Sequence, residues 1–456
     1  MSMLGTAERN LSPDELTRRM VERRAVEAVI WGMPAVNFEL MYRAMVQTKG
    51  AYNQIVYWSR LPDWKNQTLT PNPDAICLMP FINTKDVGPV VIEIPPADEG
   101  SFAGAIMDAW QVPLEDVGPA GLDNAEGGAY LILPPGYMEK VPDGYITLQS
   151  DTYANYAVLH SNLNSGSEAD IAKAVTYGKQ VQVYPLAQAA NPPATTYVDA
   201  VDVVYDTTIP YDQRFFQSLN RFVQTEPWLQ RDKAMLDKLK SIGIEQGKPF
   251  APDAATQEIL ERAVSEAHAW LDMQYESLVS APYVDGSRWS LPIPRDVIEG
   301  QKTLFASPDN YPIDGRGITY SFAFSSSKRL GAGQFYLMTI KDQEGRPLHG
   351  DNAYRINVPV NVAANLYWSA TVYDRATHAH IRSLPWSSRS SLTSGLQKNA
   401  DGSVDIYFGV NAPEGKESNW IPTSANGEFE VAFRFYGSEQ PQFDETWTLP
   451  NIEEFT

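Results

Sequence analysis

Apolar positions near the start of the chain recur with the spacing of one helix face. They run from residue 16 to residue 30, after Ser12 and Glu15, which are spaced as a capping box. Gly32 and Pro34 follow, and both weaken a helix, because glycine costs backbone entropy and proline lacks a donor. The pattern therefore predicts either a helical pair or one kinked helix.

Three further patterns follow along the chain. Residues 53–205 contain short apolar runs between proline, glycine, asparagine and aspartate, which is typical of strands. Residues 206–310 return to helical spacing, with the longest apolar stripe between 252 and 278. From residue 311 to 456, strand patterns alternate with turns such as Asp401-Gly402.

These patterns predict an α+β fold that is mainly β. Residues 1–52 would form N-terminal helices, 53–205 a β-rich domain, 206–310 a helical connector and 311–456 a β-sandwich. We expect antiparallel sandwich or jelly-roll-like domains, because closely spaced strands with tight turns bury one face of each sheet. The length of 456 residues also exceeds what one hydrophobic core usually supports.

Charge, cysteine content and hydrophobicity argue against several classes of protein. The chain has 36 Lys and Arg residues against 56 Asp and Glu, a net charge of −20, so we expect no nucleic-acid partner. Cys77 is the only cysteine, which excludes an intrachain disulfide. No apolar run is long enough to span a membrane, and the first ten residues lack the pattern of a secretory leader. We therefore expect a cytoplasmic protein, or a periplasmic or secreted one if a leader has been trimmed.

Several short motifs resemble a bacterial two-domain family. Thr70-Pro71-Asn72-Pro73-Asp74 is similar to part of the domain of unknown function 1254, and Asn419-Trp420-Ile421-Pro422, Arg434-Phe435-Tyr436-Gly437 and Trp447 are similar to the domain of unknown function 1214. Ala75-Ile76-Cys77 departs from the Thr-Leu-Tyr usual in the family. The resemblance implies a mixed fold with sandwich portions, a helical connector and self-association, and it implies no settled activity.

Two aspartates are the candidate catalytic groups. Asn72 and Asp74 lie in a proline-bounded loop, where Asn72 could bind the substrate and Asp74 could act as a general base. Asp108 could complete an acid and base pair of the kind that cleaves sugars. Trp110 would then contact the substrate. The alternative is that Asn72 and Asp74 stabilise a turn and that Asp108 is an ordinary surface or paired residue.

The C-terminal domain offers candidate binding residues. Arg389 could join the two aspartates as a third catalytic residue that clamps an anion, and Asn419 with Trp420 could hold a carboxylate or a sugar ring. Alternatively, Trp420 closes one end of the sandwich and Asn419 ties loop backbone together.

A histidine pair is the candidate metal site. His378 and His380 lie two residues apart, so on an extended strand both would point the same way, and Asp374 could share that face. Two imidazoles and a carboxylate can bind iron or zinc. However, residues 374–377 also resemble a turn, which would separate the three side chains.

The sequence leaves two classes of function open. One is a hydrolase or lyase that acts on a small polar or carbohydrate-like molecule between the two β-rich domains, with no cofactor or with a divalent metal. The other is a non-catalytic protein that binds a small ligand or a protein partner. Nucleotide-binding and α/β-hydrolase motifs are absent from the sequence. The aromatic loops also predict a homo-oligomer.

Overall fold

The computed structural model describes residues 11–331, 333–362, 364–438 and 448–455. The first ten residues, on which the leader prediction depends, and Trp447 lie outside these ranges. The helices are α1 Pro13–Gln47, α2 Glu168–Gly178, α3 Gln213–Thr225, α4 Lys233–Leu239, α5 Ala254–Ser280, α6 Arg295–Lys302 and α7 Ile313–Phe322. No helix in the described ranges combines the length and the apolarity needed to cross a bilayer.

The N-terminal segment is one helix rather than two. Ser12 caps α1, as predicted, because its hydroxyl accepts a hydrogen bond from the Glu15 backbone N–H at 3.1 Å. The helix continues through Gly32 and Pro34 to Gln47. Every residue from 28 to 39 is buried, so packing on all sides of the helix outweighs the missing proline donor.

The first β domain is a sandwich of two sheets. Its strands are β1 Gln54–Tyr57, β2 Asn66–Gln67, β3 Ile76–Asn83, β4 Val90–Ile94, β5 Phe102–Asp108, β6 Pro113–Val117, β7 Gly128–Leu133, β8 Ile146–Gln149, β9 Ala154–Ser161, β10 Gln182–Pro185, β11 Tyr197–Asp199 and β12 Tyr205–Asp206. The first sheet has the order β11-β1-β3-β9-β5-β6 and the second β10-β4-β7-β8, while β12 and β2 pair separately. Ile76 and Ile106 of the first sheet share a core with Ile92 and Tyr130 of the second.

The second β domain is also built from two sheets. Its strands are β13 Gln334–Thr339, β14 Tyr354–Val358, β15 Tyr367–Asp374, β16 Ser388–Ser390, β17 Val404–Gly409, β18 Trp420–Pro422, β19 Phe429–Tyr436 and β20 Glu453–Glu454. The third sheet has the order β13-β19-β15-β16 and the fourth β18-β17-β14-β20. Leu337 and Phe433 of the third sheet pack with Ile356 and Ile406 of the fourth. The predicted α+β fold with antiparallel-rich sheets and N-terminal helix is therefore confirmed.

The two sandwiches meet beside the helices. The outer face of the first sheet contributes Met79 and Tyr156 to a core shared with α1, α3 and α5, and the third sheet contributes Met338 and Ala432 to the same core. The helical segment continues to Phe322, beyond the predicted boundary at residue 310, because α7 packs against α1 and α5. This layering places the outer faces of the first and third sheets on either side of one interior region.

Candidate functional site

A cavity of about 130 Å³ lies between the first and third sheets. The first sheet contributes Gly104, Val158 and His160 to its wall, and β19 contributes Arg434. The segment that follows α7 closes another side with residues 323–327. A second hollow of about 250 Å³ shares Gly104, Ser327 and Gln334 with the first, so the two are neighbours.

Strand register explains why polar residues of the third sheet face this cavity. Tyr336, Arg434 and Ser369 lie side by side on β13, β19 and β15. Because successive side chains alternate between the faces of a strand, Phe433 and Phe435 point the other way, into the core of the second β domain. The outer face of the third sheet is therefore polar at this row of residues, and the first β domain covers it.

Arg434 is the central charged group of this face. Its side chain is buried and donates hydrogen bonds to the Thr371 hydroxyl at 3.0 Å, the Thr70 carbonyl at 2.9 Å and the Tyr373 hydroxyl at 2.5 Å. All three acceptors are neutral. Among the described residues, no carboxylate lies within 4.0 Å of the guanidinium, which is unusual for a buried arginine.

Asp74 and Asn72 lie at the edge of the same polar face. The Asn72 side chain donates to the Tyr436 hydroxyl at 2.6 Å, and its oxygen accepts from the Asp74 backbone N–H at 2.9 Å. The Asp74 carboxylate accepts from the Ser388 hydroxyl at 2.9 Å. Burial raises the pKa of Asp74, and the Ser388 hydrogen bond and the charge of Arg434 oppose that shift. The turn role that we considered for Asn72 is therefore present, together with a link to the second β domain.

Arg389 is near Asp74 but does not form an ion pair with it. Its guanidinium lies over the Trp386 ring, 4.2 Å from the ring centroid, and donates to the Ser388 carbonyl at 3.1 Å and the Glu417 carbonyl at 3.3 Å. Burial lowers the pKa of Arg389 to about 10, and the negative charge of Asp74 opposes the shift. The structure thus brings two of the three predicted catalytic residues into one neighbourhood.

Asp108 lies elsewhere, which corrects the predicted pairing with Asp74. Ile76 lies two residues after Asp74. Ile76 and Phe102, the first residue of β5, pair with the same residue of β9, whereas Asp108 is the last residue of β5. Six residues of strand separate these positions by roughly 20 Å, and paired carboxylates that cleave a glycosidic bond lie roughly 5 to 10 Å apart. Asp74 and Asp108 are therefore too far apart to act on one bond.

Trp110 and Asp108 form part of the molecule's interior rather than of the cavity. The Asp108 carboxylate accepts from the backbone N–H groups of Trp110 at 2.8 Å and Val112 at 2.9 Å, so it holds the turn between β5 and β6. The Trp110 ring is buried against Trp31 and Phe222, each with ring centroids 4.9 Å away. Trp110 is thus a core residue, and the substrate contact that we predicted for it has no support in this packing.

Asn419 and Trp420 stabilise loops of the second β domain. Asn419 is buried and donates to the carbonyls of Gln397 at 2.9 Å and Asp405 at 2.8 Å. The Trp420 indole donates to the Gly409 carbonyl at 2.8 Å and packs against Trp386. These contacts match the alternative in which Asn419 ties loop backbone together. Both residues are absent from the described lining of the cavity.

The predicted metal ligands contact different partners. His378 faces Glu430 at 3.0 Å, and His380 stacks on Tyr373. The Asp374 carboxylate accepts from the backbone N–H of Ala376 at 2.9 Å, which is the turn that we considered as the alternative. Among the described residues, no group of three or more His, Cys, Asp or Glu side chains is arranged to hold a metal ion.

Two residues of the cavity wall were missed by the sequence analysis. Arg434 was noted as part of a family motif and His160 was not considered. Burial lowers the pKa of His160 to about 4, and the charge of Arg434 adds to this effect, so the imidazole is neutral at pH 7. Its Nδ1 atom is buried without a hydrogen-bond partner among the described residues. A charged residue at a position that faces away from the apolar residues of its strand, such as Arg434 between Phe433 and Phe435 in β19, was the one signal available.

The fold and the cavity define a class of protein with two β-sandwich domains that enclose a polar junction beside a helical layer. Residues 52–185 match the family model described as protein of unknown function DUF1254, and residues 333–440 match that of protein of unknown function DUF1214. The chain belongs to the family in which a DUF1254 domain is followed by a DUF1214 domain, as the sequence motifs indicated.

One of two similar solved structures supports the fold. The crystal structure of the VPA0106 protein from Vibrio parahaemolyticus is similar, with 18% identity and a TM-score of 0.59 over 96% of this chain and 100% of that one. A putative uncharacterized protein from Burkholderia cenocepacia matches at 11% identity and a TM-score of 0.41, over 96% of this chain and 94% of that one. No curated protein matches this chain.

Proposed function

We propose that this protein binds a small molecule in the cavity between the first and third sheets. The cavity volume of about 130 Å³ supports a ligand with a body the size of one aromatic ring. For scale, an engineered apolar cavity of roughly 150 Å³ in another protein binds benzene. A cavity between domains is also a common position for a small-molecule site.

The observation that carries the proposal is that the cavity wall holds a buried cation without a described ion pair and an imidazole nitrogen without a described hydrogen-bond partner. Arg434 is buried, and its described hydrogen bonds all go to neutral acceptors. His160 adds a neutral imidazole with an unpartnered buried nitrogen. Buried polar groups are usually satisfied, so the unpartnered His160 nitrogen, next to a buried cation that has no ion pair among the described residues, favours a ligand that satisfies both. A purely structural role for Arg434 would account for its contacts with Thr70 and Tyr373, but not for the cavity beside it.

Binding is preferred here over the hydrolase or lyase hypothesis. That hypothesis used Asp74 and Asp108 together, and the strand register separates them by roughly 20 Å. Neither carboxylate is among the described residues of the cavity wall. Catalysis is therefore not part of the proposal.

The test uses benzamide and benzoate, two ring-sized probes that differ in charge. Isothermal titration calorimetry of the full chain at pH 7.5 should show saturable binding of at least one of them. Ala323 lines the cavity and is half-buried, so Ala323→Leu places a larger side chain in the ligand space. We expect that variant to lose the binding.

A matched substitution controls for general effects of the added side chain. Ala255→Leu makes the same change at an exposed position in the first turn of α5 and should leave binding as in the unmodified chain. The proposal is overturned if neither probe binds, or if Ala323→Leu binds as tightly as Ala255→Leu.

A further inference from the structure

The cavity has a polar end and an apolar end. On the third sheet, Tyr336 and Arg434 are aligned, and two residues away Met338 and Ala432 are aligned. All four line the cavity, so its wall changes character over roughly 7 Å. Residues 291–293 extend the apolar end, because Ser290 is bridged to Met338. A ligand that satisfies both ends must itself be amphipathic.

The charge of the wall selects a single negative charge on the ligand. Of the described lining residues, Arg434 is the only one with a permanent charge. His160 is neutral at pH 7, because burial and the charge of Arg434 lower its pKa to about 4. A phosphate monoester would bring a charge of about −1.5 to −2 at this pH, which one guanidinium does not balance. A carboxylate brings one charge and also matches the planar fork of arginine.

We propose that the ligand of this cavity is a monocarboxylate with an apolar body about the size of one aromatic ring. Its carboxylate lies at the Arg434 end, and its ring lies between Met338, Ala432 and residues 291–293. This inference rests on the proposed binding function and adds the chemical class of the ligand to it. Asn72, which also lines the cavity, lies at the polar end, where its side chain donates to the Tyr436 hydroxyl.

The test compares benzoate with benzamide on the unmodified chain. The two molecules have nearly the same shape, so a difference in affinity reports the charge. Hydrogen bonds to charged groups are the stronger ones, and we expect benzoate to bind roughly tenfold more tightly or better. Equal affinities would overturn the carboxylate inference while leaving the binding function intact. Absence of binding by both probes would overturn the binding function itself.

Two substitutions test whether the preference for benzoate over benzamide arises in this cavity. Arg434→Met removes the charge and should equalise the two affinities. Because Arg434 also holds the Thr70 carbonyl, that variant could fail to fold. Gln334→Glu serves as the second variant, since Gln334 is half-buried in the cavity wall and the change is isosteric. It should weaken benzoate roughly tenfold and weaken benzamide clearly less, because benzamide carries no charge.

The control for added charge is Gln343→Glu on an exposed turn. It changes the net charge by the same amount and should keep the benzoate preference. If Gln334→Glu and Gln343→Glu show the same preference as the unmodified chain, the carboxylate does not lie in this cavity and the inference is wrong.

Discussion

Asp108 shows how one buried carboxyl can resemble a catalytic group and yet serve the fold. It lies in a turn, where two backbone N–H groups donate to its carboxylate at 2.8 and 2.9 Å. Burial raises its pKa to about 6, although the hydrogen bond from Val112 opposes that shift. A raised pKa is common at active sites, but structural carboxyls that lose water show it too. Asp108 is excluded from the candidate site because it does not line the cavity, and its raised pKa does not change that.

The first prediction concerns the pH dependence of this residue. The pKa of Asp108 is about 6 in the folded protein against an ordinary value of 3.8, so the folded state holds the proton more tightly. The resulting stability is fully present below the ordinary value and is lost as pH rises through the folded value. From pH 4 to pH 7, the free energy of unfolding should fall by about 2 kcal/mol relative to Asp108→Asn, which keeps the acceptor oxygen.

Urea unfolding of both proteins at the two pH values measures this difference. Asp86→Asn, on an exposed turn, controls for the loss of one negative charge. The prediction would be contradicted if the free energies of unfolding of the unmodified chain and Asp108→Asn differed by the same amount at pH 4 and at pH 7.

At the scale of elements, close backbone contact decides where strands and helices can pack. Gly104 on β5 lies so near β9 that a Cβ atom would be 2.1 Å from the Val158 carbonyl oxygen. Gly317 on α7 lies similarly close to α1, with a Cβ position 2.8 Å from the Ile30 carbonyl oxygen. Glycines weaken the helical pattern in the sequence, which explains why α7 was not predicted. The strands β4 and β19, in which apolar residues predominate, follow the strand pattern that the sequence predicts for their segments.

The second prediction is that Gly104→Ala destabilises the protein by about 1 to 3 kcal/mol or more, because a backbone atom cannot move aside as a side chain can. Gly128→Ala on β7 is the matched strand control. There the nearest atom is the Ile146 side-chain terminus at 3.2 Å, which can shift. Thermal unfolding should show a clearly larger decrease for Gly104→Ala, and similar decreases in both variants would show that β5 and β9 separate more easily than we infer.

At the scale of the whole molecule, the site depends on two sandwiches covering each other. The first β domain covers the polar outer face of the third sheet, and Arg434 joins the two by donating to the Thr70 carbonyl. Asn72 and Asp74, which the sequence analysis selected, lie at this junction because their loop bonds Tyr436 and Ser388 across it. The hydrophobic pattern of a single segment does not predict these contacts, because the partners are more than 300 residues apart in the sequence.

The third prediction is the homo-oligomer that the aromatic loops and the family resemblance favour. Multi-angle light scattering at micromolar concentration should give a mass that is a multiple of the single chain. A single peak with the mass of one chain at that concentration would show the prediction to be wrong.

The sequence by itself determined the α+β class with antiparallel-rich sheets, the N-terminal helix and the family. These follow from local spacing and short motifs, which the physical chemistry of helices and strands fixes within each segment. The sequence also indicated that Asn72 and Asp74 lie in a proline-bounded loop. Only the tertiary structure decided that Arg434 and His160 border one cavity and that Asp108 lies apart. The reason is that strand pairing and domain packing join residues distant in sequence, so which polar face becomes buried depends on the surface that covers it.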